Sequence, residues 1–180
     1  APPGSFNNEL GHPWTVLRAD HTTRYLVLEL AARGVGHIAA QCAVAPPKIG
    51  VVLNVGSAHL GEFGSPEAVA TAKGELVEAL APADEGGVAV LNADDPRVAA
   101  MRARTAARVV TFGQQAEADL RAAEIRLDDA GRPRFRLIAP AGETDIALRL
   151  TGAHHVSNAL AAVAVGLELG AELEQVAEVL

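Results

Sequence analysis

The sequence predicts an α/β fold: a mostly parallel β-sheet flanked by helices, with a small antiparallel β subdomain. Between about residues 24 and 112, short apolar blocks alternate with helical patterns, an order typical of parallel sheets. Between about residues 118 and 150, strand-like runs follow one another across short turns, which is typical of an antiparallel meander. A chain of 180 residues, 49% of them hydrophobic, is long enough for one compact domain.

Four apolar blocks in the first part of the chain are predicted strands, at residues 25–30, 49–55, 87–91 and 108–112. Three helices are predicted between them, at residues 35–44, 66–80 and 95–103. Pro46 and Pro47 end the first helix, Ser65 caps the second, and Pro96 lies in the first turn of the third.

Three strand-like runs make up the predicted meander, at residues 122–127, 133–138 and 145–150, and two helices follow at 155–169 and 173–180. The chain begins without a methionine and ends inside a predicted helix. We therefore expect residues 1–180 to be one domain cut from a longer chain at both ends, with the meander at about 118–150 inside it.

Charge and composition exclude several classes of partner. The formal net charge is -7 and the arginines are scattered, which argues against nucleic acid. No apolar run approaches the roughly 20 residues of a spanning helix, so membrane insertion is not expected. The single cysteine, Cys42, is predicted to be a small buried side chain, and a cytoplasmic location is the simplest expectation.

Polar residues that follow strand-like runs are the first candidates for a site, because ligands bind beyond the carboxyl ends of parallel strands. Glu29, Asn54 and His59 are such residues. Glu29 is a metal ligand or the partner of a neighbouring arginine. His59 lies in a glycine-rich loop, where it coordinates a cation, holds a phosphate oxygen or is simply solvated.

Three further positions have both a structural and a functional interpretation. Lys73 interrupts an Ala-rich helix, and a surface salt bridge with Glu75 or Glu78 is the plain interpretation. The segment 92–96 follows a predicted strand, and Asp94 or Asp95 is a suitable helix cap there. Segment 152–158 precedes a helix, where Ser157 or Asn158 caps it or the Asn158 amide pairs with an adenine edge.

Six segments taken together resemble the central domain of the Mur ligase family in order and spacing. They are Phe6-Asn7-Asn8-Glu9-Leu10-Gly11-His12-Pro13, Leu28-Glu29-Leu30, Asn54-Val55-Gly56-Ser57-Ala58-His59-Leu60, Ala72-Lys73-Gly74-Glu75, Asn92-Ala93-Asp94-Asp95 and Gly152-x-His154-x-x-x-Asn158. The form Ala58-His59-Leu60 resembles the family branch that adds D-alanyl-D-alanine. Folylpolyglutamate synthases share the architecture but differ in the histidine loop.

The resemblance implies an ATP-dependent ligase of peptidoglycan synthesis with a P-loop-NTPase-like central domain. ATP would phosphorylate the terminal carboxylate of a UDP-N-acetylmuramoyl tripeptide, and the amine of D-alanyl-D-alanine would attack the acyl phosphate. Magnesium ions would neutralise the phosphate and carboxylate charges. ATP and Mg²⁺ are therefore the expected cofactors.

The same resemblance assigns roles to individual residues. Three residues are expected to be catalytic and to bind the metal, the lysine after carbamylation: Glu29, His59 and Lys73. Three are expected at the nucleotide: Asn92, His154 and Asn158. Three are expected at the acceptor substrate: Asn7, Asn8 and Ser57. The sequence departs from many relatives at His155 and at Ala31-Ala32-Arg33.

The chain contains no G-x-x-x-x-G-K-[ST] motif, so this phosphate loop is expected just upstream of Ala1. An N-terminal part and a C-terminal domain of the same protein are then expected partners, and the chain alone is expected to be inactive. The alternatives are another Mur or folylpolyglutamate-type ligase, a non-catalytic module that binds nucleotide or UDP-sugar peptide, and a scaffold protein.

Overall fold

A computed structural model of the chain describes residues 7–56 and 63–180. Within these ranges six strands form one sheet in the order β1-β2-β3-β4-β5-β6. The strands are β1 (Ile49–Val52), β2 (Val88–Asn92), β3 (Arg108–Gly113), β4 (Leu120–Leu127), β5 (Pro133–Ala139) and β6 (Gly142–Ala147). The pairs from β1 to β4 are parallel, and the two pairs from β4 to β6 are antiparallel. The predicted mostly parallel sheet with an antiparallel part is confirmed.

The helices flank this sheet. They are α1 (Gly11–Val16), α2 (His37–Val44), α3 (Pro66–Glu78), α4 (Pro96–Ala99), α5 (His155–Glu168) and α6 (Leu173–Val179), with short 3₁₀ helices at Ala83–Glu85 and Ala100–Arg104. Of the helices in the described ranges, none has both the length and the apolar character that crossing a membrane requires. Cys42 is buried on α2, as predicted.

Strand β2 is buried along its whole length because both faces of the sheet are covered. Val88 and Val90 belong to a core formed with α5, α6 and the meander. Ala89 and Leu91 point to the opposite face and pack in a second core with α3 and α4. This two-sided burial explains why the run is continuously apolar rather than alternating.

The predicted strand at 25–30 is wrong, since this segment forms neither strand nor helix. Tyr25, Leu26 and Val27 are 55%, 39% and 64% exposed. An apolar run becomes a strand only where a neighbouring strand accepts its backbone hydrogen bonds, and no described segment pairs with this one.

Several predicted boundaries also shift. Strand β1 ends at Val52 rather than at residue 55, and β6 begins at Gly142 rather than at 145. The helix predicted at 95–103 divides into α4 and a 3₁₀ segment. Helix α1 was not predicted, because six residues hold too few turns to show an apolar period.

Helix α1 buries a histidine that has no hydrogen-bond partner. His12 is 1% exposed, and neither of its ring nitrogens meets a donor or acceptor among the described residues. Burial disfavours the charged imidazolium, so the pKa of His12 is lowered from its ordinary value. His12 is therefore a neutral core side chain that costs desolvation energy.

Helix α3 carries a buried carboxylate that caps a different helix. Glu75 is 7% exposed and accepts hydrogen bonds from the amides of Gly36 and Ala39, the latter at 3.0 Å. These amides belong to the first turn of α2, where the helix dipole favours a negative charge. The predicted salt bridges of Lys73 with Glu75 or Glu78 are wrong, because Glu78 pairs with Arg104 at 2.8 Å.

Replacing His12 tests its burial cost. We expect His12→Leu to raise the free energy of unfolding at pH 7.5 by about 1 kcal/mol, since an unsatisfied buried polar group is removed. The pKa of His12 in the folded chain lies below the ordinary 6.5. As the pH falls, the unfolded chain therefore binds more protons than the folded chain. The native chain should therefore lose stability from pH 7.5 to 5.5, and His12→Leu should lose less. Thermal melts with the exposed His21→Leu as control check this, and an unchanged pH dependence in His12→Leu would contradict it.

Glu75 and Glu78, both on α3, provide a matched pair. Glu75→Ala leaves two amides of α2 without an acceptor, so we expect a loss of about 1–3 kcal/mol. Glu78→Ala removes only an exposed ion pair and should cost less than about 1 kcal/mol. Urea unfolding of both variants measures the difference. Equal losses would show that the Glu75 cap contributes no more than a surface contact.

Candidate functional site

Side chains from three elements hold the backbone that leaves the carboxyl end of β1. Asn92 Nδ2 donates to the carbonyl of Leu53 at 2.8 Å. Lys73 Nζ donates to the carbonyl of Asn54 at 2.6 Å. The amide of Val55 donates to Asp95 Oδ2 at 2.7 Å. Three consecutive residues are thereby anchored just before the predicted histidine loop.

Asn92 links two strand ends. It is 6% exposed, and its Oδ1 accepts from the amide of Asp94 at 2.9 Å while its Nδ2 holds Leu53. Both polar groups of the side chain therefore bond to backbone. The predicted contact between Asn92 and the nucleotide stays a prediction.

Asp95 has two functions in the structure. Its Oδ1 accepts from the amides of Arg97 and Val98 at 2.9 and 3.3 Å, so Asp95 is the N-cap of α4, one of the two caps predicted. Its Oδ2 holds Val55. The sequence indicated a cap at Asp94 or Asp95, because Pro96 follows, but nothing local indicated the second contact of Asp95.

Lys73 is half-buried beside this loop. Burial favours the neutral amine and lowers the pKa of Lys73, while the nearby carboxylate of Asp95 partly opposes the shift. A lysine with a lowered pKa is a better nucleophile near neutral pH than an exposed one. The geometry thus suits Lys73 for chemistry as well as for holding Asn54.

Glu29 lies in the segment that precedes α2. It is exposed, and Asn7 Nδ2 donates to its Oε1 at 2.7 Å. The amide of Ala31 donates to the carbonyl of Asn7 at 3.2 Å, so two bonds join Asn7 to this segment. Gln41 Nε2 then ties the carbonyl of Ala31 to α2 at 2.7 Å. Two predicted site residues, Asn7 and Glu29, are therefore in contact.

Asn8, the other predicted asparagine, lies shortly before helix α1, whose N-cap is Leu10. Its Oδ1 accepts from the amides of Leu10 and Gly11 at 3.2 and 2.9 Å. His59 and Ser57 lie outside the described residues. Within 7–56 and 63–180 no group of three or more His, Cys, Asp or Glu side chains could hold a metal. The predicted grouping of Glu29, His59 and Lys73 thus remains a prediction.

A second group of polar side chains opens helix α5. The rings of His154 and His155 lie 4.1 Å apart, and Asn158 Nδ2 is 3.5 Å from His155 Nδ1. Gly152 has φ +120°, and a Cβ there would lie 2.6 Å from His154 Cε1, so only glycine lets the ring pack against the backbone. His154, the residue before α5, and Asn158, in its first turns, are both exposed, and their predicted contact with the nucleotide stays a prediction.

The predicted cap of this helix is wrong. His154 occupies the N-cap position, and no side chain there, neither Ser157 nor Asn158, caps an amide. The exposed Asn158 amide is therefore not committed to the helix backbone. Glu75 and the second contact of Asp95 are the site features that sequence reasoning missed, because both depend on residues about 36 to 40 positions away.

The family model described as the Mur ligase middle domain matches residues 2–166. The UDP-N-acetylmuramoyl-tripeptide–D-alanyl-D-alanine ligase of Mycobacterium tuberculosis is 57% identical over 180 residues, which is 100% of this chain and 35% of that protein. The enzyme of that name from Escherichia coli is 37% identical over 175 residues, covering 96% of this chain and 38% of its own length. The chain thus spans little more than a third of these curated relatives.

Solved structures agree with the sequence comparison. MurF from Acinetobacter baumannii superposes with a TM-score of 0.90 at 35% identity, over 98% of this chain and 38% of that one. MurF from Thermotoga maritima, in complex with ADP, has a TM-score of 0.81 at 30% identity, over 98% of this chain and 40% of that one. On the family model, the identity and the shared fold, this chain belongs to the Mur ligase family and matches its middle domain.

Proposed function

We propose that this chain is the ATP-binding and catalytic part of a ligase that adds D-alanyl-D-alanine to a UDP-N-acetylmuramoyl tripeptide. The observation that carries the proposal is 57% identity, over all 180 residues, to a relative that bears this name. The ADP complex of the Thermotoga maritima structure supports ATP as the nucleotide. Such a reaction, driven by ATP on a UDP-linked precursor, would take place in the cytoplasm.

The proposed reaction has two steps. A carboxylate oxygen of the tripeptide attacks the γ-phosphorus of ATP, forming an acyl phosphate and releasing ADP. The amine of D-alanyl-D-alanine then attacks the acyl carbon, phosphate leaves, and the amine nitrogen loses a proton as the amide forms. Both steps bring negatively charged groups together, so the site must offset charge.

The described residues fit a magnesium site in part. Glu29 offers an exposed carboxylate whose Oε1 is oriented by Asn7, and hard cations prefer such oxygen ligands. His59 and carbamylated Lys73 would complete the set. Bound magnesium would neutralise the phosphate and the acceptor carboxylate.

Carbamylation of Lys73 is chemically consistent with its surroundings. The neutral amine attacks carbon dioxide, the nitrogen loses a proton, and a carbamate with two oxygens forms. Burial lowers the pKa of Lys73 and thereby increases the fraction of reactive amine. The carbamate nitrogen keeps one N–H, which can still donate to the carbonyl of Asn54.

The remaining contacts follow the same proposal. Asn158 and His154 are exposed at the start of α5, where an amide can both donate to and accept from adenine. Asn7, Asn8 and Ser57 are proposed on the acceptor side. The phosphate loop and further substrate contacts would come from other parts of a longer chain, since the relatives are almost three times as long.

The proposed function is tested in the full-length protein. We expect phosphate release that requires magnesium, UDP-N-acetylmuramoyl tripeptide and D-alanyl-D-alanine. Lys73→Ala and His59→Ala should each lower the rate by at least about 100-fold, because charge in the transition state is no longer offset. Lys48→Ala, at an exposed lysine, is the control. Full activity in both site variants would overturn the residue roles, and no activity in the native protein would favour a binding module.

Lys73 carbamylation has a direct spectroscopic test. Lys48 and Lys73 are the only lysines of the chain, so they can be compared in one sample. We expect ¹³C-bicarbonate to give a carbamate signal at pH 7.5 to 8.5 that disappears in Lys73→Met and persists in Lys48→Met. As the pH falls, protonation of the amine should remove the signal. A carbamate that survives in Lys73→Met would exclude this residue as its source.

The role of Asp95 is tested with an isosteric change. Asp95→Asn keeps an oxygen for the cap of α4 but replaces the acceptor of the Val55 amide with an amino group. We expect hydrogen exchange at Val55 to rise by at least about 10-fold, since a bond of roughly 1.5–3 kcal/mol is lost. Asp94→Asn is the control, because Asp94 accepts from Gln114 instead. Unchanged exchange at Val55 would show that this bond does not restrain the loop.

A further inference from the structure

The outer face of the meander holds a cleft lined by arginines, although the chain as a whole carries a net charge of -7. The cleft has a volume of about 320 Å³. Its charged lining residues are Arg126, Arg134, Arg136, Glu124 and Asp145. None of the residues predicted for metal, nucleotide or acceptor binding lines it.

A β-bulge brings the arginines to one face. Ala123 lies opposite Arg136 and Arg126 lies opposite Arg134, so β4 advances three residues where β5 advances two. Glu124, inside the bulge, has φ +53°, a left-handed conformation that is unfavourable for glutamate. Because side chains alternate along a strand, the extra residue moves Arg126 onto the face that carries Arg134 and Arg136.

The three arginines differ in their partners. Arg136 lies 3.5 Å from Glu124 Oε1 and 3.5 Å from Asp145 Oδ1, so its charge is offset. The side chains of Arg126 and Arg134 make no ion pair or hydrogen bond with any described residue. They are nevertheless cross-strand partners, and like charges directly opposite one another destabilise a sheet. The cleft therefore has two unpaired guanidinium groups and a strained backbone that keeps them together.

We propose that this cleft binds a phosphate-type oxyanion between Arg126 and Arg134. A guanidinium presents parallel N–H donors that match the oxygens of such an anion, and two opposed guanidiniums can grip it from both sides. The anion supplies the negative charge that the cross-strand pair lacks. Its source is either free phosphate or a phosphate carried on a nucleotide. The site is independent of the proposed ligase activity.

The first test compares thermal unfolding of the chain in sodium phosphate and in sodium chloride at equal ionic strength and pH 7.5. We expect 10 mM phosphate to raise the melting temperature of the native chain by about 2–4 °C relative to chloride. Arg126→Gln and Arg134→Gln should lose this gain. The exposed Arg102→Gln, outside the meander, should keep it.

The same variants separate anion binding from a structural role. In chloride, Arg126→Gln and Arg134→Gln should melt no lower than Arg102→Gln, because a like-charge contact is relieved. Arg134→Lys keeps the positive charge but lacks the planar N–H donors of the guanidinium. Phosphate should therefore raise its melting temperature less than that of the native chain, while its melting temperature in chloride should equal the native value. The proposal would be overturned if phosphate raised the melting temperature equally in Arg126→Gln, Arg134→Gln and Arg102→Gln. It would also be overturned if phosphate did not raise the melting temperature of the native chain.

The second test identifies the source of the anion. Titration of the ¹⁵N-labelled chain with inorganic phosphate, and separately with UDP, should shift the Nε–Hε signals of Arg126 and Arg134. At least 10-fold tighter binding of UDP would assign the site to a nucleotide-borne phosphate, and similar affinities would assign it to free phosphate. Shifts in neither titration would contradict the site.

Discussion

Helix α3 organises the candidate site because two of its charged side chains reach in opposite directions. Residues two apart on a helix point about 200° apart. Glu75 therefore reaches the first turn of α2, and Lys73 reaches the backbone that leaves β1. Since α2 holds the segment of Glu29 through Gln41, the helix connects both sides of the proposed metal site.

Both side chains are costly to bury, and the structure offsets the cost differently in each case. The Glu75 carboxylate accepts hydrogen bonds from two amides, and it lies at the N-terminal end of α2, where the helix dipole favours a negative charge. Lys73 donates a hydrogen bond to one carbonyl, and the negative charge of Asp95 offsets part of its positive charge. Burial still lowers the pKa of Lys73. In the proposed enzyme a carbamate at Lys73 would reverse the charge beside Asp95, and a divalent cation would offset the resulting repulsion.

The sequence predicted most of the sheet because buried strands show locally as apolar runs bounded by turn residues. It failed at residues 25–30, where the run is equally apolar but no described strand pairs with it. It also placed the cap at Asp94 or Asp95, and the structure has it at Asp95, but it paired Lys73 with Glu75 or Glu78. That error follows from judging helical neighbours by spacing alone, when partners from other elements compete for the same charges.

By itself the sequence determined the fold class, the positions of four of the six strands to within about two residues, and a family resemblance that rests on short motifs, which the comparisons confirm. Apolar period, turn residues and motif spacing are local properties, so the linear order of residues contains them. Only the tertiary structure decided which partners the polar side chains take. Asn92, Lys73 and Asp95 all bond to the backbone that leaves β1. Glu75 bonds to α2, and a bulge places Arg126 opposite Arg134. These contacts join residues far apart in the chain, and a hydrogen bond depends on distance and angle in space.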